Sequence, residues 1–202
     1  LDSLAVAAAG GGDTFTNTVD PALLRLTATS TTNQFFELRR LVFVFDTSDV
    51  PSGNTISNAF LSLWVESKNN GLGTTPLYVC GGVSASNSTL AASDYASNAG
   101  TTCYGNEAYA SLAVGQYTDL VLDANGRANI NKGAAARSKF SAQLGWDTAN
   151  SFTGTWLSGA DSYYSIRTAD QAGTTSDPKL VIEHSSGAGG PVKLNLYIRR
   201  RQ

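Results

Sequence analysis

Chemistry in this chain would have to begin at His184, because imidazole is the side chain most often used as a general base near neutral pH. It is the only histidine, and it follows Glu183. No Gly-x-Ser-x-Gly elbow or other nucleophile motif accompanies it, so a Ser-His-Asp triad is not expected. Glu37, Glu66, Asp147 and Asp161 are of the type that pairs in glycoside hydrolysis, one as acid and one as base or nucleophile. Their sequence positions fix no separation, and solvated carboxylates are the simpler expectation. Asp46 and Asp49 could offer oxygen ligands to a structural Ca²⁺. Aspartate in a turn more commonly caps its own backbone. The reading is therefore no catalytic residue, no metal ligand and no cofactor, with calcium at Asp46 and Asp49 as the one weighed exception. Gly10-Gly11-Gly12 lacks the Lys and Ser/Thr of a phosphate loop.

Cys80 and Cys103 carry the redox information. They flank a polar segment, and a bridge between them would constrain the unfolded chain by roughly 3 kcal/mol in the loop-entropy description. Two buried thiols acting as small apolar groups are the other reading. No further Cys or His stands at zinc-ligand spacing.

Aromatic residues offer a different chemistry, stacking. Trp64 lies on the face of its strand opposite Leu61 and Leu63. Trp146, Trp156, Tyr163 and Tyr164 gather around a polar connection. Exposed rings stack on sugar faces and also anchor protein interfaces. Filling the core of a sandwich is the competing role for each. Asn87-Ser88-Thr89 fits a glycosylation sequon, a pattern short enough to arise by chance.

The elements that would position these groups are strands. Arg39 to Phe45 and Ile56 to Val65 both alternate with period two, the sign of strands with one face on a core. Leu41, Phe43 and Phe45 share a face, as do Ala59, Leu61, Leu63 and Val65. Pro51 and Gly53 supply the fixed and the permissive φ of a connection. Further strands are expected at Ala22 to Ala28, along a continuous run from Phe35 to Phe45, and at Leu77 to Cys80. Others are expected at Gln116 to Leu122, Lys139 to Trp146, Ser162 to Ala169 and Lys179 to His184. A short helical turn is expected at Ala91 to Ala96, and a second helix capped by Asp123 runs to Ile130.

Composition agrees with this. The chain has 202 residues, of which only 15% are charged, with 20 Gly and no Met. That favours turn-rich β structure over helices. The net charge of −2 argues against nucleic acid as the main partner. No run approaches the roughly 18 apolar residues of a membrane span, so no membrane partner is expected. Leu1 to Ala9 is apolar but has no basic flank, and reads poorly as a signal peptide. The expected organisation is an N-terminal arm at 1–12, an antiparallel β-sandwich of jelly-roll type at 13–184, and a tail at 185–202. The tail joins a Gly-rich linker to an alternating strand, Val192, Leu194, Leu196 and Ile198, closed by three arginines. That strand either joins a neighbouring subunit's sheet edge or returns to its own sheet.

Arg40 to Ser48 together with Ile56-Ser57-Asn58-Ala59-Phe60-Leu61-Ser62-Leu63 resembles the core signature of DNRLRE (disaggregatase-related) domains. In that family an apolar strand ends in Phe-Asp plus Ser or Thr, and a second strand carries Ile-x-x-Ala-x-Leu-x-Leu. Ser151 to Trp156 and Ala169 to Leu180 look like a variant common in phage and metagenome-derived virion or surface proteins. The resemblance covers roughly residues 34–184. It implies a jelly roll that serves either in surface assemblies or as a carbohydrate-binding module. The expectation is a non-enzymatic structural subunit at an extracellular or virion surface, such as a decoration, tail or fibre protein. Its partners would be copies of itself or other virion proteins, and attachment to cell-surface polysaccharide is the alternative.

Overall fold

In the computed structural model, residues 16, 19–170, 173–186 and 190–197 are described. The expected arm at 1–12, Ile198 and the three terminal arginines lie outside them. The spine is β4, Thr55–Asn70, the longest strand. Its Ala59, Leu61, Leu63 and Val65 are fully buried, so the period-two pattern is the folded pattern. Each buried leucine adds roughly 1.5–3 kcal/mol of hydrophobic stabilisation.

Around β4 the chain contributes β1 (Ala22–Ala28), β2 (Phe35–Leu38), β7 (Gln116–Val121), β9 (Asp161–Ile166), β10 (Lys179–Ser185) and β11 (Val192–Tyr197). The large sheet runs β11-β10-β4-β9-β1-β2, with β7 also on β4. Phe60 to Ser62 pair with β10 and β7 at once, and Val65 pairs with both Gln116 and Ile166. Hence β7 follows one edge of β4, while β10 and β9 share the other edge in succession. A bulge between Val65 and Ser67 shifts the register within the β4–β9 ladder. The second sheet orders β3 (Leu41–Asp46), β8 (Arg137–Leu144), β5 (Leu77–Gly81) and β6 (Cys103–Glu107) as β3-β8-β5-β6. Every pairing is antiparallel. Phe43, Phe45, Val79, Phe140 and Leu144 of the small sheet meet Leu24, Leu26, Leu61, Leu63 and Leu180 of the large one in a single core. The fold is an all-β sandwich.

One expected strand is corrected. The run from Phe35 to Phe45 is not one strand. β2 ends at Leu38 in the large sheet and β3 begins at Leu41 in the small one, because Arg40 turns inward to Asp147. β3 and β4 do not pair with each other. They lie in opposite sheets, and the turn between them closes an end of the sandwich over the buried Val50.

Among the described residues, three short helices decorate the connections: α1 (Ala92–Ser97), α2 (Ala124–Ala128) and α3 (Gly145–Thr148). Where Lys139 to Trp146 was expected to run on as strand, it enters α3 after Leu144. Asp123 caps α2 as expected, accepting from the Gly126 N–H at 2.8 Å. Gly126 has a reason unrelated to helix propensity. A Cβ there would stand 2.6 Å from Tyr104 Cβ. Gly126→Ala should therefore destabilise the protein by about 1–3 kcal/mol in urea unfolding, although Ala is the better helix former by about 1 kcal/mol. A more stable Gly126→Ala variant would show that Tyr104 yields freely.

The C-terminal strand β11 pairs with β10 of its own chain, from Lys179↔Tyr197 to His184↔Val192. Of the two readings of Val192, Leu194 and Leu196, the return to the same sheet is the one observed. Leu194 and Leu196 pack on the core, which corrects their assignment as subunit contacts.

Candidate functional site

The chemistry-bearing residues do not converge. Glu37 bonds Arg25 and Arg39, Asp161 also reaches Arg25, and Glu66 pairs with Arg167. Asp147 is buried on Arg40. Each of the four acids is thus held by an arginine. His184 is buried on β10, its Nδ1 2.8 Å from Asn54 Nδ2. Its Nε2 is the buried side-chain polar atom without a partner among the described residues. Asp46 Oδ1 accepts from the Ser48 N–H at 3.1 Å, the Ser48 hydroxyl at 2.6 Å and Arg137 at 2.6 Å. That is the turn-capping role, with the carboxylate occupied by protein donors.

Cys80 of β5 and Cys103 of β6 form a disulfide. It closes a segment containing α1 that lies against the outer face of the small sheet. There Gln143 Nε2 donates to Asn98 O at 2.8 Å and Lys139 Nζ donates to Ser84 O at 2.6 Å.

The tryptophan and tyrosine group read from the sequence separates in space. Trp146 is buried in α3, edge-on to Phe152 at 4.8 Å, with its indole N–H donated to Thr153 Oγ1 at 3.2 Å. Tyr164 is fully buried and its hydroxyl donates to the Thr75 carbonyl. These two are core residues, a correction to their reading as contacts. Strand alternation sends the adjacent Tyr163, half-buried, to the outer face. Trp156 packs partly against the core, its indole N–H 3.5 Å from Gln34 O.

Trp64 is the tryptophan on an outer sheet face, and the register surrounds it with residues the sequence did not single out. On β7, Tyr117 stands opposite it, the rings perpendicular at 5.3 Å. The Lys179 ammonium sits 3.4 Å from the Tyr117 ring centroid, and Tyr197 of β11 pairs with Lys179. One row further along, Val121, Phe60, Val181 and Asn195 lie side by side, with Lys193 over the Phe60 ring at 5.5 Å. Val121 is 56% exposed and Tyr197 40%.

The electrostatics here follow from partial burial. Tyr117 donates to the Thr175 and Asp177 carbonyls, both at 2.9 Å. Burial pushes its hydroxyl up to about 12, with Tyr197 and Asp177 adding. Burial also lowers the Lys179 ammonium, against the pull of Asp119. The arrangement offers flat rings, aliphatic surface and both signs of charge, the features of a binding surface. No protein-family model, curated protein or solved structure matches the chain.

Proposed function

We propose that this chain is a non-enzymatic structural subunit of an exterior assembly, a virion protein of the decoration, tail or fibre kind. The outer face of the large sheet carries the reading. An antiparallel sheet with one solvated face normally alternates apolar-in with polar-out. Across β7, β4, β10 and β11 the out positions instead hold Phe60, Trp64, Tyr117, Val121 and Tyr197. Aromatic anchors of this type dominate protein interfaces. Lys179 and Lys193 alternate there with Asp119 and Glu183, so a second copy related by a two-fold axis can oppose unlike charges. The Cys80–Cys103 bond supports an oxidising, exterior setting. In the jelly-roll reading, support comes from the chain crossing between sheets at β2–β3, β3–β4, β4–β5, β6–β7, β7–β8 and β8–β9.

The test is the mass in solution, by light scattering at rising concentration. The wild-type chain should associate, and Trp64→Ser combined with Val121→Lys should be monomeric with an unchanged urea midpoint. A wild-type chain that stays monomeric at high micromolar concentration would end this reading.

A further inference from the structure

Asn87 is the one asparagine in the chain that opens an Asn-x-Ser/Thr tripeptide, Asn87-Ser88-Thr89. We infer that Asn87 is an acceptor for N-linked glycosylation, taking its glycan from a polyprenyl-diphosphate-linked oligosaccharide. The inference is independent of the subunit reading, which uses the other sheet. A tripeptide match is weak by itself. The fold around it is what singles out this residue.

The tripeptide stands at the tip of a clasped loop. The buried carboxylate of Asp94 in α1 accepts the Ala85 N–H on Oδ1 at 3.1 Å and the Ala91 N–H on Oδ2 at 2.9 Å. One side chain thus ties both ends of the segment 85–91. Just before it, Asn98 holds Val83, accepting its N–H at 2.8 Å and donating to its carbonyl at 2.6 Å. At the tip, Ser86 Oγ accepts the N–H groups of Ser88 and Thr89, both at 3.1 Å. Asn87, Ser88 and Thr89 are all exposed and belong to no helix or strand.

The amide is also free to react. Asn98, Asn129 and Asn131 each donate their side-chain amide to a backbone carbonyl. Among the described residues, no hydrogen bond holds the Asn87 amide or the Thr89 hydroxyl. Both groups must enter a transferase, so a bond to either would have to break first. In the transfer, Asn87 Nδ2 attacks the anomeric carbon of the lipid-linked oligosaccharide. The C–N bond forms as the C–O bond to the diphosphate breaks. The lipid diphosphate leaves with that electron pair, and the amide nitrogen gives one proton to a base of the transferase.

Placement and compartment agree with this chemistry. An acceptor of this kind is used on the surface loops of secreted proteins. The Cys80–Cys103 bond closes the segment that carries the loop, and disulfides persist in the compartments of the secretory route. The segment covers Ser141 and Gln143 on the outer face of the small sheet. A glycan at Asn87 therefore projects from that side of the sandwich and leaves Trp64 and Tyr117 clear.

The full chain, expressed behind a secretory leader in a eukaryotic cell line, tests this by intact mass and peptide mapping. The secreted protein should be heavier by one glycan at Asn87, and peptide N-glycosidase should remove it and leave an aspartate at that position. Thr89→Ser should keep the glycan. Asn87→Gln and Thr89→Ala should lose it with unchanged urea midpoints, since both side chains are exposed. Translation into microsomes reads the same shift without secretion, so a chain retained in the cell still gives an answer. A chain with Asn87 unmodified in both systems, a glycan retained by Thr89→Ala, or attachment at another residue in place of Asn87 would each overturn the proposal.

Discussion

Asp147→Ala should lower the unfolding free energy by about 3–5 kcal/mol, a large share of the roughly 5–15 kcal/mol that holds a domain together. The Arg40 and Asp147 side chains are 2% and 1% exposed. Arg40 Nε donates to Asp147 Oδ2 and Nη2 to Oδ1, both at 2.7 Å, while Nη1 donates to Tyr95 O at 2.6 Å. The guanidinium also lies 4.2 Å from the Tyr95 ring centroid. Burial works against the charge on Arg40, but the hydrogen bonds and field of Asp147 outweigh it and the pKa is raised. The pair joins the β2–β3 junction to α1 and α3. Removing the carboxylate leaves a buried cation without its counter-charge, and that is the costly state. Replacing both partners, with Arg40→Met and Asp147→Leu, should recover most of the loss, because well-packed apolar side chains substitute for buried pairs at little cost. Urea denaturation of the two variants decides. A loss under about 1 kcal/mol for Asp147→Ala would place the pair in solvent-like surroundings.

The same ion pair marks where sequence reading stops. Period two is a local property, so the strands around Phe43, Leu61, Leu120 and Ile182 were legible, as was the Asp123 cap. Arg39-Arg40 inside an alternating run reads as an outward-facing step. Only a partner 107 positions away, Asp147, makes it a crossing between sheets. β6 was missed for a different reason: Cys-Tyr-Gly-Asn-Glu has no apolar alternation, and its strand form rests on the β5 ladder. Gly105 at its centre fits because a Cβ there would lie 2.0 Å from the Val121 carbonyl oxygen.

The candidate surfaces were legible only in fragments. Trp64 showed its face, yet Tyr117, Lys179 and Tyr197 join it through three registers that no spacing encodes. Trp146, Trp156, Tyr163 and Tyr164 were neighbours in sequence and are dispersed by the fold. Adjacent strand residues face opposite ways, and a tryptophan just past a buried strand is carried into the core.

Leu61→Asp and Phe60→Asp, one position apart on β4, should give opposite outcomes. Leu61 is fully buried between Leu180 of β10 and Leu120 of β7, at the centre of the large sheet. A carboxylate there forfeits about 2–3 kcal/mol of leucine burial and adds several more for an unpaired polar group. Together these rival the whole stability of a domain, so Leu61→Asp should be unfolded by circular dichroism and recovered insoluble. Phe60 points the other way, its ring under the Lys193 ammonium. An aspartate at 60 meets water and that lysine, costs about 1 kcal/mol or less, and removes an anchor from the outer face. Phe60→Asp should therefore fold with a near-native urea midpoint while losing self-association by light scattering. A cooperative, soluble Leu61→Asp would reverse the assignment of faces on β4. A Phe60→Asp that folds and still associates would move the contact surface away from this face, since a new charge in place of an apolar anchor is what a buried interface tolerates least.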